Sequence, residues 1–354
     1  MKQLYTACVI GTGRIGFTLG FDKKREQPAS HTMALLANNR IKIIAGVDTD
    51  SAKLTEWKNY VDAHQFPHSL INSNKVKTFA TVEDLFNNCS PDIVTIAVNE
   101  DAHLSTALCV IEHKPRLVIL EKPVALSSVQ GMQIVRHSKK YGVPVLVNHE
   151  RRFALDYSMA RDYMTKIGDI QKISASLFSG MRLYDPKAEN SGGYSLLHDG
   201  THLVDVVLYL LGAVDKEKLS KPVITGLCRD AKEKKVVRSF TASYATKTVP
   251  DVEIMMSGRS RFFGFEVDVL GTTGRIKIGN GFAEFYQRRQ SRLYTGFYSL
   301  EKDSLIKVPK KTGYFSNMIK NAVDFLDGNS ELKSTLQTGM NALSVLEEMK
   351  ELIK

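Results

Sequence analysis

Cysteine is scarce and scattered in this chain. Cys8, Cys89, Cys109 and Cys228 are spread over 354 residues with no C-x-x-C spacing and no dense framework. That pattern excludes a small disulfide-stapled fold and fits buried thiols in a reducing compartment, so a cytoplasmic protein is expected, and none of the four is placed as a nucleophile. Long apolar runs are missing too: none approaches the ~18 to 20 residues of a membrane span. The opening MKQLYTACVI runs straight into a strand-like stretch, too short and too early for a signal-peptide core. No internal repeat and no low-complexity tract interrupts the sequence.

A long run of one charge is also absent. The net charge is +10, yet the tight basic clusters, Lys23 to Arg25, Lys232 to Lys235 and Lys307 to Lys311, are short and flanked by acids or turn residues. This is a solvated surface rather than a nucleic-acid or membrane footprint, so neither partner is expected. A positive field can still recruit anionic small molecules such as dinucleotides or phosphorylated sugars.

Apolar residues make up 43% of the chain, ample for two cores at this length. From residue 4 to 148, apolar runs (LYTACVIG, IKIIAGVD, VKTFA, DIVTIAV, RLVILE, VPVLVN) alternate with helical stretches such as SAKLTEWKNYVDA and SVQGMQIVRHSKKYG. That alternation predicts an α/β fold: a doubly wound parallel sheet covered on both faces. After RRF at 151 to 153 the texture changes to one helix, a strand, the segment GGYSLLHDGTHLVDVVLYLLG, and then short strands with turn signals. These predict an α+β domain with an open, mostly antiparallel sheet, closed by two helices. The expected division is a nucleotide-binding Rossmann domain over 1–125, its core extending to about 150, and a second domain over 126–354. Its final helices are candidates to pack back on the first domain.

CVIGTGRIG places Gly11, Gly13 and Gly16 in G-x-G-x-x-G register directly after a strand, with Arg14 and Ile15 between the last two. The logic is a tight turn at Gly11, backbone approach to a pyrophosphate at Gly13, and helix-on-strand packing at Gly16. The next strand ends in Asp48, whose carboxylate can accept the ribose hydroxyls and repel a 2′-phosphate, so NAD is favoured over NADP. A glycine turn made only for packing is the bland alternative. The fourth and fifth strands end in AVNEDAH and LEKPVALS, which puts Asn99, His103, Glu121 and Lys122 on the cofactor side of the sheet. Pro123 fixes the turn after Lys122 and is a candidate for a cis bond.

LLHDGTHLVD, from 196 to 205, sets His198 and His202 four apart. Such a pair can clamp zinc, can handle protons at a hydride-transfer site, or can be purely structural. Zinc would require a third ligand, and no later segment offers a clear one; Gly200 also weakens a helix there. No metal is therefore expected.

These residues together resemble the glucose-fructose oxidoreductase, inositol dehydrogenase and rhizopine-catabolism (Gfo/Idh/MocA) family. The likeness runs over nearly the whole chain: the turn 11 to 16, Asp48, TVEDLF, NEDAH, EKP at 121 to 123, ERRF, and GG...HDGTHLVD...LLG from 192 to 212. The resemblance implies an NAD(P)-binding Rossmann domain and a second domain whose sheet makes a homodimer or homotetramer. It implies oxidation of a secondary hydroxyl on a sugar, cyclitol or nucleotide-linked sugar, or the reverse. By position, Lys122 contacts substrate and nicotinamide while His202 takes the proton. Arg152, at the end of the sixth strand, is a weaker substrate-binding candidate, with a structural ion pair equally open. A sensor that binds NAD and a sugar without turnover, and a reductase of an imine, tetrapyrrole or other unsaturated ring, are the competing readings.

Two departures from the family stand out. Many members carry an aspartate four residues before the histidine, where this chain has His198; on a helix Asp199 points about 100° away and cannot replace it, which makes His198 a proton-relay or substrate-binding candidate. The histidine that usually follows the third glycine after two residues corresponds here to His31, so about a dozen residues, near TLGFDKKREQPA, are inserted. They form either a tolerated surface loop or an arm that brings Lys23, Lys24 and Arg25 to a phosphate, and such a loop could also close as a lid.

Overall fold

The computed structural model describes residues 3–65, 75–187 and 196–354. Its contacts divide it into two units, one running to Ala154 and including Lys311–Met340, the other comprising Leu155–Lys310 and Asn341–Lys354.

The first unit is built on six parallel strands, β1 (Tyr5–Ile10), β2 (Ile41–Val47), β3 (Lys77–Phe79), β4 (Ile93–Ile96), β5 (Leu117–Leu120) and β6 (Val145–Val147), in the spatial order β3-β2-β1-β4-β5-β6. β4 and β5 are buried along their whole length, which is why they read as unbroken apolar runs. The connecting helices are α1 (His31–Leu36), α2 (Ser51–His64), α3 (Val82–Asn88), α4 (His103–Glu112) and α5 (Ser128–Tyr141). Side-chain caps start several of them: Asp50 accepts from Ala52 and Lys53 N–H at α2, Thr81 from Asp84 at α3 and Ser127 from Gln130 at α5. The Trp57 ring of α2 packs closely on β2 because Gly46 has no side chain; a Cβ there would sit 2.3 Å from the ring. The doubly wound sheet predicted from the sequence is the observed one.

The second unit opens with α6 (Leu155–Tyr163) and continues through β7 (Ile170–Phe178), α7 (Leu196–Leu211), β8 (Val223–Arg229), β9 (Val237–Tyr244), β10 (Val252–Ser257), β11 (Gly264–Gly271), β12 (Gly274–Gly279), β13 (Phe282–Gln290) and β14 (Tyr298–Lys302). The eight strands lie in the order β14-β13-β12-β11-β7-β10-β9-β8. Every pair is antiparallel except β10 with β7, so the expected mostly antiparallel sheet is present. Two helices close the chain: α8 (Tyr314–Leu326), which belongs to the first unit, and α9 (Leu336–Ile353), through which the division between units passes. No helix among the described residues is long and apolar enough to cross a membrane.

Candidate active site

The three glycines after β1 differ in what surrounds them. Gly11 has φ +89°, and a Cβ there would lie 2.5 Å from the Ala97 carbonyl oxygen; at Gly16 it would lie 1.9 Å from the carbonyl oxygen of Gly11. Both are demanded by the protein's own backbone. At Gly13 a Cβ would meet nothing within 4 Å, so the backbone there faces open room of the kind a pyrophosphate approach needs. Arg14 is exposed and Ile15 half-buried against the core.

Asp48 is fixed in place beside this turn. Its Oδ2 accepts from the Thr12 N–H at 2.8 Å and the Thr12 hydroxyl at 3.0 Å, and its Oδ1 from the Asp50 N–H at 2.9 Å. A carboxylate offers roughly four acceptor positions, so Oδ1 keeps capacity for a ribose hydroxyl. The open backbone at Gly13 and this held carboxylate fit a dinucleotide. Thr12 was not singled out in the sequence, although it lies inside the glycine fingerprint.

The helix after the glycine turn is interrupted and then resumed. Phe17 N–H donates to the Gly13 carbonyl at 2.8 Å, and the chain then leaves through a short 3-10 turn, Thr18–Phe21. It returns at α1, where His31 N–H donates to the Ile15 carbonyl at 3.1 Å and Thr32 N–H to the Gly16 carbonyl at 2.9 Å. An unbroken helix would make these bonds over four residues; here they span sixteen, so about a dozen residues are spliced into the helix. Ser30 caps the resumed part, and the Thr32 hydroxyl adds a 2.6 Å bond to the Gly16 carbonyl. The spliced segment is tied down at both ends. Phe21 packs edge-on against Phe17 and Tyr60, while the Glu26 carboxylate accepts from Thr312 N–H and hydroxyl and from Gly313 N–H, just before α8. Arg25 pairs with Asp22 at 3.5 Å; Lys23 and Lys24 are exposed.

At the end of β5, Glu121 is buried and Lys122 half-buried, with a cis bond between Lys122 and Pro123. Glu121 Oε1 lies 2.6 Å from His31 Nε2 and accepts from Asn148 Nδ2 at 2.6 Å, while Oε2 accepts the Lys122 N–H at 3.2 Å. Burial pushes the Glu121 pKa up, but the His31 bond and charge, the Asn148 bond and the Lys122 charge outweigh it and hold the group below its ordinary value. His103 is buried as well: its Nδ1 lies 2.7 Å from the Pro123 carbonyl and its Nε2 3.3 Å from that of Val98. Glu121 and His103, singled out as cofactor ligands, thus each have one of these contacts on the turn around Lys122, Glu121 Oε2 with the Lys122 N–H and His103 Nδ1 with the Pro123 carbonyl. Asn99 stands exposed after β4, and Arg152 is buried after β6. Asn148 escaped the sequence reading, because an asparagine after a short apolar strand carries no signal of what it will bind.

In the second unit, 196–211 is helical, which places His198 and His202 one turn apart and half-buried on the side shared with Asp205 and Tyr209. Gly200 lets α7 approach β10: a Cβ would lie 2.6 Å from the Met256 methyl and 3.2 Å from Leu346. The last turn of α7 is capped by the Arg161 guanidinium, which donates to the carbonyls of Tyr209 and Gly212 and lies over the Tyr209 ring. The Gly192 and Gly193 of the sequence likeness lie outside the described residues. Among the described residues no three His, Cys, Asp or Glu side chains are grouped so as to hold a metal ion.

Comparison with known proteins agrees with this architecture. The family model described as "Oxidoreductase family, NAD-binding Rossmann fold" (Gfo/Idh/MocA) matches residues 6–149. D-glucoside 3-dehydrogenase of Escherichia coli K12 is 28% identical over 129 residues, 34% of this chain and 36% of that protein. Trans-1,2-dihydrobenzene-1,2-diol dehydrogenase of Xenopus laevis is 23% identical over 188 residues, 52% of each. The chain therefore spans about half or less of the length of these relatives. Among solved structures, UDP-N-acetylglucosamine 3-dehydrogenase of Acidithiobacillus ferrooxidans shares the fold with a TM-score of 0.72 at 14% identity, covering 99% of this chain and 97% of that one. GenD2 from gentamicin A biosynthesis, solved in complex with NAD, does so with 0.73 at 16%, covering 100% and 95%. The likeness to the Gfo/Idh/MocA oxidoreductase family is thus carried by the Rossmann part of the chain, residues 6–149.

Proposed function

We propose that the chain is an NAD(P)-dependent oxidoreductase that moves a hydride between nicotinamide and a secondary hydroxyl of a sugar, cyclitol or nucleotide-linked sugar, with NAD preferred. The observation that carries the reading is Lys122, held at the carboxyl end of β5 in a sheet whose glycine turn is open at Gly13. Names of relatives such as D-glucoside 3-dehydrogenase support the substrate class. The bound nicotinamide supplies or accepts the hydride. Gly13 admits the pyrophosphate to the backbone, and Asp48 takes a ribose hydroxyl while its charge repels a 2′-phosphate. Lys122 holds the reacting oxygen and stabilises the negative charge that develops on it; His202 removes its proton, and His198 orients or relays. Arg152, buried after β6, is the further substrate-binding candidate, with a structural ion pair as its alternative role.

A cytoplasmic homo-oligomer built through the second sheet completes the reading. Its support is the exposure of Met255, Phe282, Tyr298 and Leu300 along the strands of that sheet. Light scattering would give the mass of a dimer or tetramer, and a monomer at micromolar concentration would remove this part.

The test of the chemistry is substitution. Lys122→Met and His202→Ala, each alone, are expected to lower turnover by about a thousandfold while NADH affinity stays within about threefold. Turnover unchanged in both variants would overturn the assignment.

A further inference from the structure

Three buried side chains outside the proposed chemistry converge on the backbone around Lys122. His31 is wholly buried, with the Phe315 ring edge-on to it at 5.2 Å, and the hydrogen bond its imidazole makes among the described residues is to Glu121 Oε1. Its Nδ1 is buried without a partner among those residues. An unsatisfied buried nitrogen costs about 1 to 3 kcal/mol, so for packing alone an apolar residue would serve better at this position. The imidazole is explained by what its other nitrogen does. Together with Asn148 it fixes the orientation of the Glu121 carboxylate, whose second oxygen holds the Lys122 N–H. On the far side of Lys122, His103 holds the Pro123 carbonyl.

We propose that His31 and His103 are positioning residues that clamp the backbone on either side of Lys122, His31 acting through Glu121 and His103 directly on Pro123. The inference rests on the oxidoreductase reading in so far as Lys122 is the group to be placed. The physical case is leverage: a small rotation of the backbone at Lys122 is magnified along its flexible four-carbon stem, and a misplacement of about 1 Å at a reacting centre costs on the order of a hundredfold in rate. The spliced helix gains a purpose in the same way. Its resumed part begins at His31 and is locked by the bonds to Ile15 and Gly16, so the insertion leaves the imidazole in register with Glu121.

The test uses the chemical reactivity of the Lys122 amine, which requires no substrate. The full-length protein is labelled with limiting acetic anhydride, and acylation of Lys122 is read by mass spectrometry against exposed Lys23 in the same sample. His31→Leu and His103→Leu are expected to change the Lys122 rate by about threefold or more and to lower kcat by about tenfold or more, with KM within about threefold. His31→Gln places an amide nitrogen near the former Nε2, and His103→Asn near the former Nδ1, so both should recover most of the change. Glu121→Gln is nearly isosteric and turns a donor toward the Lys122 N–H, so it should alter Lys122 labelling even if the leucine variants fail to fold. Wild-type labelling of Lys122 in Glu121→Gln, or equal effects of the leucine and amide variants, would overturn the clamp. Absence of turnover in the wild-type protein would instead overturn the oxidoreductase reading and leave the labelling comparison standing.

Discussion

The two sheets of this molecule display their residues in opposite ways, and the difference decides where chemistry can be housed. β4 and β5 of the first sheet are buried on both faces, so a polar group with work to do can stand only beyond a strand end. Gly11, Asp48, Asn99, Lys122 and Asn148 all do. β7, β9 and β11 of the second sheet alternate buried with more exposed positions, leaving one face for a core and one for solvent or a partner. There the candidate proton-handling side chains sit on α7 instead of a strand end. Strand-end sites are built from backbone and short side chains; the helix site is built from spacing.

The sharpest way to break this comparison is at the glycine turn. Gly16→Ala forces a Cβ to within 1.9 Å of the Gly11 carbonyl oxygen and should cost about 3 kcal/mol of stability or more, seen as a large fall in Tm. Gly13→Ala has open room and should keep its Tm while weakening NADH binding by about tenfold, measured by fluorescence titration. Equal thermal losses at both glycines would contradict the division of roles.

Neighbouring residues of β10 sharpen the second half of the contrast. Ile254 is 0% exposed and Met255 37%, so Ile254→Ala should cost about 2 to 5 kcal/mol and Met255→Ala about 0.5 or less in urea unfolding of the isolated chain. A penalty at Met255 that grows with protein concentration would instead mark that face as buried in an oligomer.

Thr12→Val keeps the volume but removes the hydroxyl bond to Asp48, and NADH affinity should fall by about fivefold while NADPH affinity changes less. The smallest effect is expected far from any site. Asp215 is held down to about 2 by the hydroxyls of Thr246 and Thr248 and by the Glu217 N–H. A carboxyl depressed in the folded state contributes stability that is complete above its ordinary value of 3.8 and is lost as pH falls through about 2. Asp215→Asn should therefore lower Tm at neutral pH, with the difference shrinking below the ordinary value of 3.8 and closing only below pH ~2 in a thermal-melt series.

The first sheet was legible in the sequence because double burial leaves an unbroken apolar signal, and α7 because its apolar residues keep a helical period over sixteen positions. β14 was not: YSLEK is a short edge strand with mixed polarity, and its pairing to β13 is visible only once the strand is placed. The spliced helix was legible only as a count. Spacing pointed to His31, but no local property of TLGFDKKREQPA says that the turn begun at Gly13 ends at Phe17 and that helix resumes at His31, since the bonds that rejoin it are backbone bonds. Glu26 is one more charge within a basic loop in the sequence, yet its carboxylate ties the insertion to the residues just before α8. The position of Lys122 beyond a strand end was legible because strand-end placement follows from topology; the contacts around it were not, because His31, Asn148 and His103 come from three elements distant in sequence.

The central claim is that Lys122 serves hydride transfer to or from a polyol carbon. It is tested most directly by following absorbance at 340 nm when wild-type protein and Lys122→Met, each shown to bind NADH, are given NAD+ with a library of sugars, inositols and nucleotide sugars. The account predicts that at least one compound yields NADH with the wild type and that this signal is lost in Lys122→Met. NADH binding with no reduction of NAD+ by any member of the library, or turnover undiminished in Lys122→Met, would contradict it.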